Sequence, residues 1–250
     1  MKRIIAAVLC LFILLGASAS AEYDDSFVVR AKDAGPCRRL TGNVEILLVF
    51  VSTPQHPWTQ KQKDAVNRVS FSSVDIMMDE AKDYGTYLNM CFGGLDFSIP
   101  YEYSKDLTWY YYILEHYFGA SSIVDVYDSY RRSLNMDETP MIFLFNSWDR
   151  SHTYCSYADY SGWNEEFCVI FCDTKMHDNY LTHEVMHLYG AIDLYDYNNE
   201  GVQKIAEKYF PNSNMLAGNE IDELTAYLVG WEQSPSYLAQ CFINETRGLR

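Results

Sequence analysis

Apolar residues along the chain fall into patterns typical of buried strands and of amphipathic helices. Residues 44–51 (VEILLVFV) form an almost continuous, β-branched run, which predicts a buried central strand. From about Thr59 to Tyr84 the apolar residues recur at spacings near 3 and 4, which predicts one long helix that ends at Gly85. These two elements predict a sheet with a long helix packed against it.

The rest of the chain alternates between shorter predicted strands and helices. Residues 107–135 are rich in aromatic side chains and are predicted to be helical in their second half. The other predicted elements are strands at 95–103, 141–145 and 167–171, and helices at 177–189 and about 221–229. The order of these elements predicts the α+β class, with one domain built on a mixed sheet.

The first 21 residues have the pattern of a secretory signal peptide. Lys2 and Arg3 give a basic start, an apolar run follows over residues 4–15, and small residues lead to Ala21. A membrane anchor is the alternative, but the apolar run is short of the roughly 20 residues that a spanning helix needs. We therefore expect cleavage after Ala21, secretion of the remaining chain and no membrane association after the signal is removed.

Charge and length restrict the classes of protein further. The chain of 250 residues has a formal net charge of -15, which argues against nucleic acid or an anionic membrane as a partner. After the signal, residues 22–43 are polar and predicted to be an irregular lead-in. Residues 44–250 are long enough for one domain with a sizeable core, and we expect them to end in a helix and a tail. We expect this domain to be a monomer.

The cysteines bear on the compartment of the protein. Six remain after the signal is removed: Cys37, Cys91, Cys155, Cys168, Cys172 and Cys241. An even number in an exported chain favours disulfides, although their pairing does not follow from the sequence. Cys168 and Cys172 are alternative zinc ligands, but no second Cys or His pair lies at the spacing of a zinc finger.

The segment at 182–196 (THEVMHLYGAIDLYD) carries the main candidate chemistry. His183 and His187 are four positions apart, so on a helix they lie on one face and can converge on one ion. Glu184 lies one position further round the helix. It flanks the ion there, where a base can take a proton from a metal-bound water.

Gly190 and Asp193 extend this pattern to a third ligand. Glycine at position 190 can adopt positive φ, so the helix can end one turn past His187 and the chain can turn sharply. Such a turn brings Asp193 back toward the two imidazoles. Two histidines and one carboxylate leave one tetrahedral position open for water and suit zinc best. We therefore predict a Zn²⁺ site formed by His183, His187 and Asp193.

The motif resembles that of a known group of peptidases. HEVMHLYGAID, from His183 to Asp193, resembles the extended HExxHxxGxx(H/D) motif of the metzincin clan, and its final Asp resembles the variant of snapalysin-like peptidases. DLYD, continuing through Asp196, is similar to the region after the zinc ligands in immune-inhibitor-A-type secreted bacterial peptidases. The specific motifs lie in residues 182–231.

Two segments further along agree with this resemblance. Asn214-Met215 is placed like the methionine turn beneath the metal of metzincins, and IDELTAYLVGW, ending at Trp231, is similar to the helix that closes such domains. One position departs from the pattern. Several metzincins carry a tyrosine two residues after the turn methionine, and this chain has Ala217, so a tyrosine switch from that position is excluded.

The resemblance implies a zincin-type, metzincin-like fold with a mixed twisted sheet, a long packing helix and an active-site helix. It implies a secreted zinc metalloendopeptidase that hydrolyses peptide bonds in protein or peptide substrates through a metal-bound water, with Glu184 as the general base. Met215 would form the hydrophobic floor of the site. Tyr195 matches a tyrosine that snapalysin-like enzymes place near the metal, where it would stabilise the oxyanion.

Three alternatives stay open on the sequence. In a gluzincin-type site a glutamate on a following helix is the third ligand, and Glu207 lies 20 residues past His187. An exported zinc-binding or adhesion module would keep the fold and the metal without turnover, although it would have no need of Glu184. A disulfide-stabilised structural domain would carry the motif by accident.

Overall fold

The computed structural model describes residues 27–149, 151–154, 165–172, 178–196 and 200–249. The predicted signal peptide, residues 1–21, lies outside this part of the chain. The described elements follow in this order: α1 Phe27–Ala31, β1 Gly42–Ser52, α2 Gln60–Asp83, β2 Leu88–Ser98, α3 Thr108–Ile113, a π-helix at Leu114–Phe118, α4 Ile123–Leu134, β3 Met141–Phe145, β4 His152–Tyr154, β5 Phe167–Phe171, α5 Asp178–Leu188, α6 Val202–Tyr209, α7 Glu223–Leu228 and α8 Tyr237–Glu245.

The strands form one mixed sheet with the order β2-β1-β3-β5-β4. The first four of these are parallel to their neighbours, and β4 is antiparallel to β5. β4 is therefore the last strand at one edge of the described sheet. The predicted α+β class with a mixed sheet is confirmed.

β1 lies inside the sheet, between β2 and β3, and its side chains are almost all apolar. Every residue from Ile46 to Val51 is buried, as expected for a strand covered on both faces. Leu47 pairs with Met141 of β3 on one side and with Gly93 of β2 on the other. The predicted central strand is confirmed and lengthened by a residue or two at each end.

The long helix α2 matches its prediction closely. Thr59 caps its N-terminus: the Thr59 side chain accepts from the Gln62 N–H, and the Gln62 side chain accepts from the Thr59 N–H. Its buried positions include Val66, Val74 and Met77, which lie on one face. This face packs against β2 and α5, so α2 supports the helix that carries the candidate ligands.

Two predicted elements differ from the structure. The strand predicted at 95–103 is β2, which begins seven residues earlier at Leu88 and ends at Ser98, just before Pro100. Gly93 and Gly94 interrupt the apolar alternation in the middle of this strand, so the alternation predicts only its second half. Residues 107–135 are helical in both halves, because α3 and the π-helix precede α4. Helix α6 was not predicted, and no bounds were predicted for a helix at the position of α8.

The lead-in at 22–43 is more ordered than expected over its described part. Residues 27–31 form helix α1, and Val28, Ala31, Cys37 and Leu40 are fully buried in the core. The Leu40 N–H donates to the Val229 carbonyl at 2.9 Å. The expectation of an irregular, polar segment is wrong here, because four apolar side chains spaced along it pack into the domain.

Four of the cysteines have free thiols in the described part of the chain. These are Cys37, Cys91, Cys168 and Cys241, and the disulfides that the even count favours stay a prediction for the rest. Cys155 lies outside the described residues. Cys37 and Cys168 are buried, and burial raises the pKa of both thiols well above the usual range. In the part of the chain described here, no helix is both long and apolar enough to cross a membrane.

Candidate metal centre

Helix α5 carries the predicted histidines and packs against the edge of the sheet formed by β5 and β4. The helix contacts β4, β5 and α2, and its residues Leu181, Val185 and Leu188 are fully buried. This packing leaves the opposite positions partly accessible: the side chain of His183 is 16% exposed. The prediction of a helix at 177–189 is confirmed, although residue 177 itself lies outside the described residues.

The turn after α5 has the hydrogen bonds of a glycine-terminated helix. The Gly190 N–H donates to the His187 carbonyl at 3.1 Å, and the Ala191 N–H donates to the Met186 carbonyl at 3.1 Å. Gly190 has φ +94°, in the left-handed region that favours glycine. A Cβ at this position would lie 2.5 Å from the Ala31 carbonyl oxygen. Any side chain at position 190 would therefore disturb the turn that leads to Asp193.

The turn brings the three predicted ligand atoms together. Asp193 Oδ1 lies 3.3 Å from His183 Nε2 and 3.2 Å from His187 Nε2, and the two Nε2 atoms are 3.1 Å apart. Among the described residues, these three side chains form a group that could hold a metal ion.

Backbone carbonyls orient both imidazoles. His183 Nδ1 lies 3.0 Å from the Asn214 carbonyl oxygen, and His187 Nδ1 lies 2.7 Å from the Ala191 carbonyl oxygen. Because a carbonyl oxygen only accepts, each Nδ1 carries a proton and donates it. In the neutral imidazoles, both Nε2 atoms then present lone pairs to the centre of the group. Such second contacts are typical of metal-binding histidines.

The group fits a tetrahedral zinc ion. Three acceptor atoms lie within 3.1–3.3 Å of one another, and Asp193 Oδ1 is buried without a hydrogen-bond donor from the described residues. Neutral histidines leave this arrangement repulsive unless a proton or a cation lies at its centre. Ligands about 2.0 Å from a tetrahedral ion lie about 3.3 Å apart, close to the observed spacing. The donor set of two nitrogens and one oxygen also suits zinc.

The charges of the group are strongly coupled. Burial would raise the pKa of Asp193, but the neighbouring His183 and His187 outweigh it and lower that pKa well below its usual range. Burial would lower the pKa of His187, but its contact with Asp193 outweighs it and raises that pKa. The carboxylate therefore stays ionised and attracts a positive charge into the group, whether a proton or a metal ion.

Glu184 is held by the edge of the sheet. It is only 6% exposed, and its Oε2 accepts a hydrogen bond from the Thr153 hydroxyl at 2.7 Å. The Cys168 thiol lies 3.1 Å from the Glu184 carbonyl oxygen. Thr153 and Cys168 pair across β4 and β5. Neither residue was predicted, because the only sequence signal around Thr153 is a polar, tyrosine-rich stretch.

The remaining predicted residues lie near the group. The rings of Tyr195 and His183 are nearly parallel, with centroids 6.4 Å apart. Met215 is fully buried, and its carbonyl accepts from the Leu194 N–H at 2.9 Å. The turn at 213–216 therefore contacts both sides of the group, through the Asn214 carbonyl to His183 and through Met215 to the residue after Asp193.

The alternative ligands do not join this group. Glu207 lies on the exposed side of α6, where its Oε1 accepts from the Gln203 side chain at 2.9 Å. Cys168 and Cys172 are buried, and within the described ranges they form no metal-ligating group. The structure therefore brings together Asp193, and not Glu207, with the two histidines.

The sequence of this chain has no match among known protein families or curated proteins. The resemblance to metzincins therefore rests on the residues of the motif.

Proposed function

We propose that this chain is a secreted zinc-dependent endopeptidase with a metzincin-like, zincin-type domain. The observation that carries the proposal is the convergence of His183, His187 and Asp193, whose three ligand atoms lie within 3.1–3.3 Å of one another. The buried Glu184 beside them adds the base that peptide hydrolysis requires. A site that only stores a metal would have no use for that carboxylate.

His183, His187 and Asp193 would hold the zinc ion. When bound, zinc supplies a Lewis acid that polarises the scissile carbonyl and lowers the pKa of water. Glu184 takes the proton from the attacking water and passes it to the leaving amine nitrogen. Met215 lies as an apolar floor beneath the ligands, and the Tyr195 hydroxyl stabilises negative charge that develops on the carbonyl oxygen.

Strand β4 supports an extended peptide as the substrate. It is the outer strand of the described sheet, and one of its residues, Thr153, contacts the proposed base. An extended chain can add to such an edge through main-chain hydrogen bonds, which favours protein or peptide substrates. The acidic net charge and the predicted signal peptide agree with action outside the cell.

Glu184→Gln tests the proposal directly. We expect the purified wild-type protein to contain zinc and to cleave casein or a peptide library, and to stop when a chelator is added. Glu184→Gln removes the base but none of the three ligands, so we expect it to keep zinc while hydrolysis falls by about 100- to 10,000-fold. Zinc is measured by elemental analysis and cleavage by mass spectrometry.

Glu207→Gln is the matched control, since it makes the same chemical change at an exposed glutamate outside the group. It should keep both zinc and activity. A wild type that holds zinc but cleaves nothing would identify a silent zinc-binding or adhesion module. A wild type that takes up no zinc would identify a structural domain with an accidental motif.

A further inference from the structure

Within the described ranges, three acceptor atoms lie close to the hydroxyl of Thr153, whose single proton can serve only one of them. The distances from Thr153 Oγ1 are 2.7 Å to Glu184 Oε2, 3.0 Å to the Glu184 carbonyl oxygen and 3.2 Å to Cys168 Sγ. A carboxylate is the strongest acceptor of the three, and it is also the closest. The hydroxyl therefore donates to Oε2.

The Cys168 thiol completes this arrangement. Its Sγ lies 3.1 Å from the Glu184 carbonyl oxygen and donates its own proton there. Burial keeps this thiol protonated, since it raises the pKa of Cys168 well above its usual range. The Cys168 thiol thus donates to the main chain of Glu184, and the Thr153 hydroxyl donates to the side-chain carboxylate of the same residue.

The strand geometry fixes which side chains can do this. Thr153 and Cys168 are directly paired across the antiparallel β4 and β5, so their side chains lie on the same face, toward α5. His152 and Tyr154 point to the other face by the alternation of a strand, where His152 Nε2 lies 3.3 Å from the Tyr103 hydroxyl. Thr153 is therefore the residue of β4 that faces the helix of the site.

We propose that Thr153 is a positioning residue for Glu184. Its hydrogen bond holds one carboxylate oxygen, Oε2, to the sheet edge and fixes the orientation of the whole group. The other oxygen, Oε1, has no hydrogen-bond partner in the described part of the chain and is the one left to accept a proton. This role rests on the proposed function. It links β4, the strand that would receive a substrate, to Glu184, the base that would act on that substrate.

Three variants at one position test this role. Thr153→Val removes the hydroxyl and keeps the branched shape, Thr153→Ala removes it with no risk of overpacking, and Thr153→Ser keeps it. We expect the first two to lower kcat by about 10-fold or more with little change in KM, because a loosely held base acts less often while peptide binding is unaffected. Thr153→Ser should restore most of kcat. Zinc affinity, measured by chelator competition, should stay at the wild-type value in all three.

Thr139→Val is the matched control. Thr139 is also a buried threonine, and its hydroxyl donates to the Tyr127 carbonyl at 3.1 Å, away from the ligand group. Its loss should lower the free energy of unfolding by about 1 kcal/mol and leave kcat unchanged. If Thr153→Val fails to fold, Thr153→Ala is compared with Thr153→Ser.

The outcomes separate this role from the proposed function. An active wild type with full kcat in Thr153→Val and Thr153→Ala overturns the role of Thr153 and leaves the peptidase intact. A loss of kcat that Thr153→Ser does not restore, or that follows a loss of zinc, also overturns it. A wild type with zinc but no hydrolysis overturns both.

Discussion

Two sites in this domain contain carboxylates, the Glu165–Glu166 cluster and the ligand cluster of His183, His187 and Asp193, and they differ in what surrounds the acids. Glu165 and Glu166 precede β5 and face hydrogen-bond donors: Glu165 Oε2 accepts from the Ile123 N–H at 2.9 Å and from the Tyr110 hydroxyl, and Glu166 Oε2 accepts from the Cys37 N–H at 2.9 Å. Asp193, in contrast, faces two imidazole nitrogens whose protons lie on their far sides.

The two sites show two ways in which a carboxylate away from water can be stabilised. A carboxylate that accepts several donors holds the fold together, because each donor stabilises the charged form. Glu166 does this for the N-terminal segment, since it holds the main chain next to Gly35, where a side chain would collide with the carboxylate. A carboxylate that meets other acceptors is stable only when a cation joins them. Burial alone would not have distinguished the two clusters.

The largest effect should come from Asp193→Asn, which replaces the acid of the ligand cluster by its amide. Asp193→Asn removes the negative charge of the group, so we expect zinc affinity to fall roughly 100-fold or more. The same variant should leave the metal-free protein within about 1 kcal/mol of wild type, because the amide supplies a donor among acceptors. Zinc affinity is measured by competition with a fluorescent chelator and stability by urea unfolding in a chelator. A large loss of metal-free stability would show that Asp193 is a structural acid like Glu166.

Glu138 tests an intermediate case, a half-buried carboxylate that forms an ion pair with Arg131. Burial raises its pKa to about 7, although Arg131, 3.1 Å away, opposes the rise. The folded protein therefore keeps this proton up to about pH 7, whereas the unfolded chain releases it near 4.5. The free energy of unfolding should then decrease by about 2–3 kcal/mol as the pH rises through this window.

Glu138→Gln removes this titration, so the variant should lose less stability than wild type between pH 5 and 7.5. Urea unfolding of both proteins at the two pH values measures the difference, and other titrating groups cancel in the comparison. Parallel pH profiles for the two proteins would contradict the raised pKa.

Much of the fold follows from local patterns in the sequence, and the exceptions have physical causes. The continuous apolar run of β1, the capped helix α2 and the short apolar strands β3 and β5 were all predicted within a few residues. Helix α6 was not predicted, because only Val202 and Ala206 of its eight residues are buried. Strand β4 has three half-buried residues and no apolar pattern, so only its pairing with β5 defines it.

The candidate site also has a part that the sequence predicts and a part that it does not. His183, Glu184 and His187 follow from helical spacing alone, and Gly190 marks the turn that brings Asp193 near them. The residues that hold these side chains in place were not predictable. The Asn214 carbonyl is a main-chain group that any residue could supply, and Thr153 reaches Glu184 across 31 positions of sequence.

The Glu165–Glu166 cluster gives the next prediction. Glu166→Gln places an amide nitrogen or a weaker acceptor against the Cys37 N–H in a fully buried site. We expect the free energy of unfolding to fall by about 2 kcal/mol, because buried donors lose a charged acceptor. Zinc affinity should not change. A loss of zinc without a loss of stability would reverse the assignment of the two clusters.

The smallest expected effects come from removing the hydroxyl of one tyrosine beside each cluster. Tyr195 lies beside the ring of His183, and Tyr110 donates its hydroxyl to Glu165. Tyr195→Phe keeps the ring and removes only the group proposed to stabilise negative charge during turnover, so kcat should fall by about 10-fold with stability unchanged.

Tyr110→Phe removes a buried donor to a carboxylate, so the free energy of unfolding should fall by about 1–2 kcal/mol with kcat unchanged. Steady-state kinetics and urea unfolding on both variants give the two measurements. Equal kcat in Tyr195→Phe and wild type would limit Tyr195 to packing against His183, and the metal centre would then act with Glu184 alone.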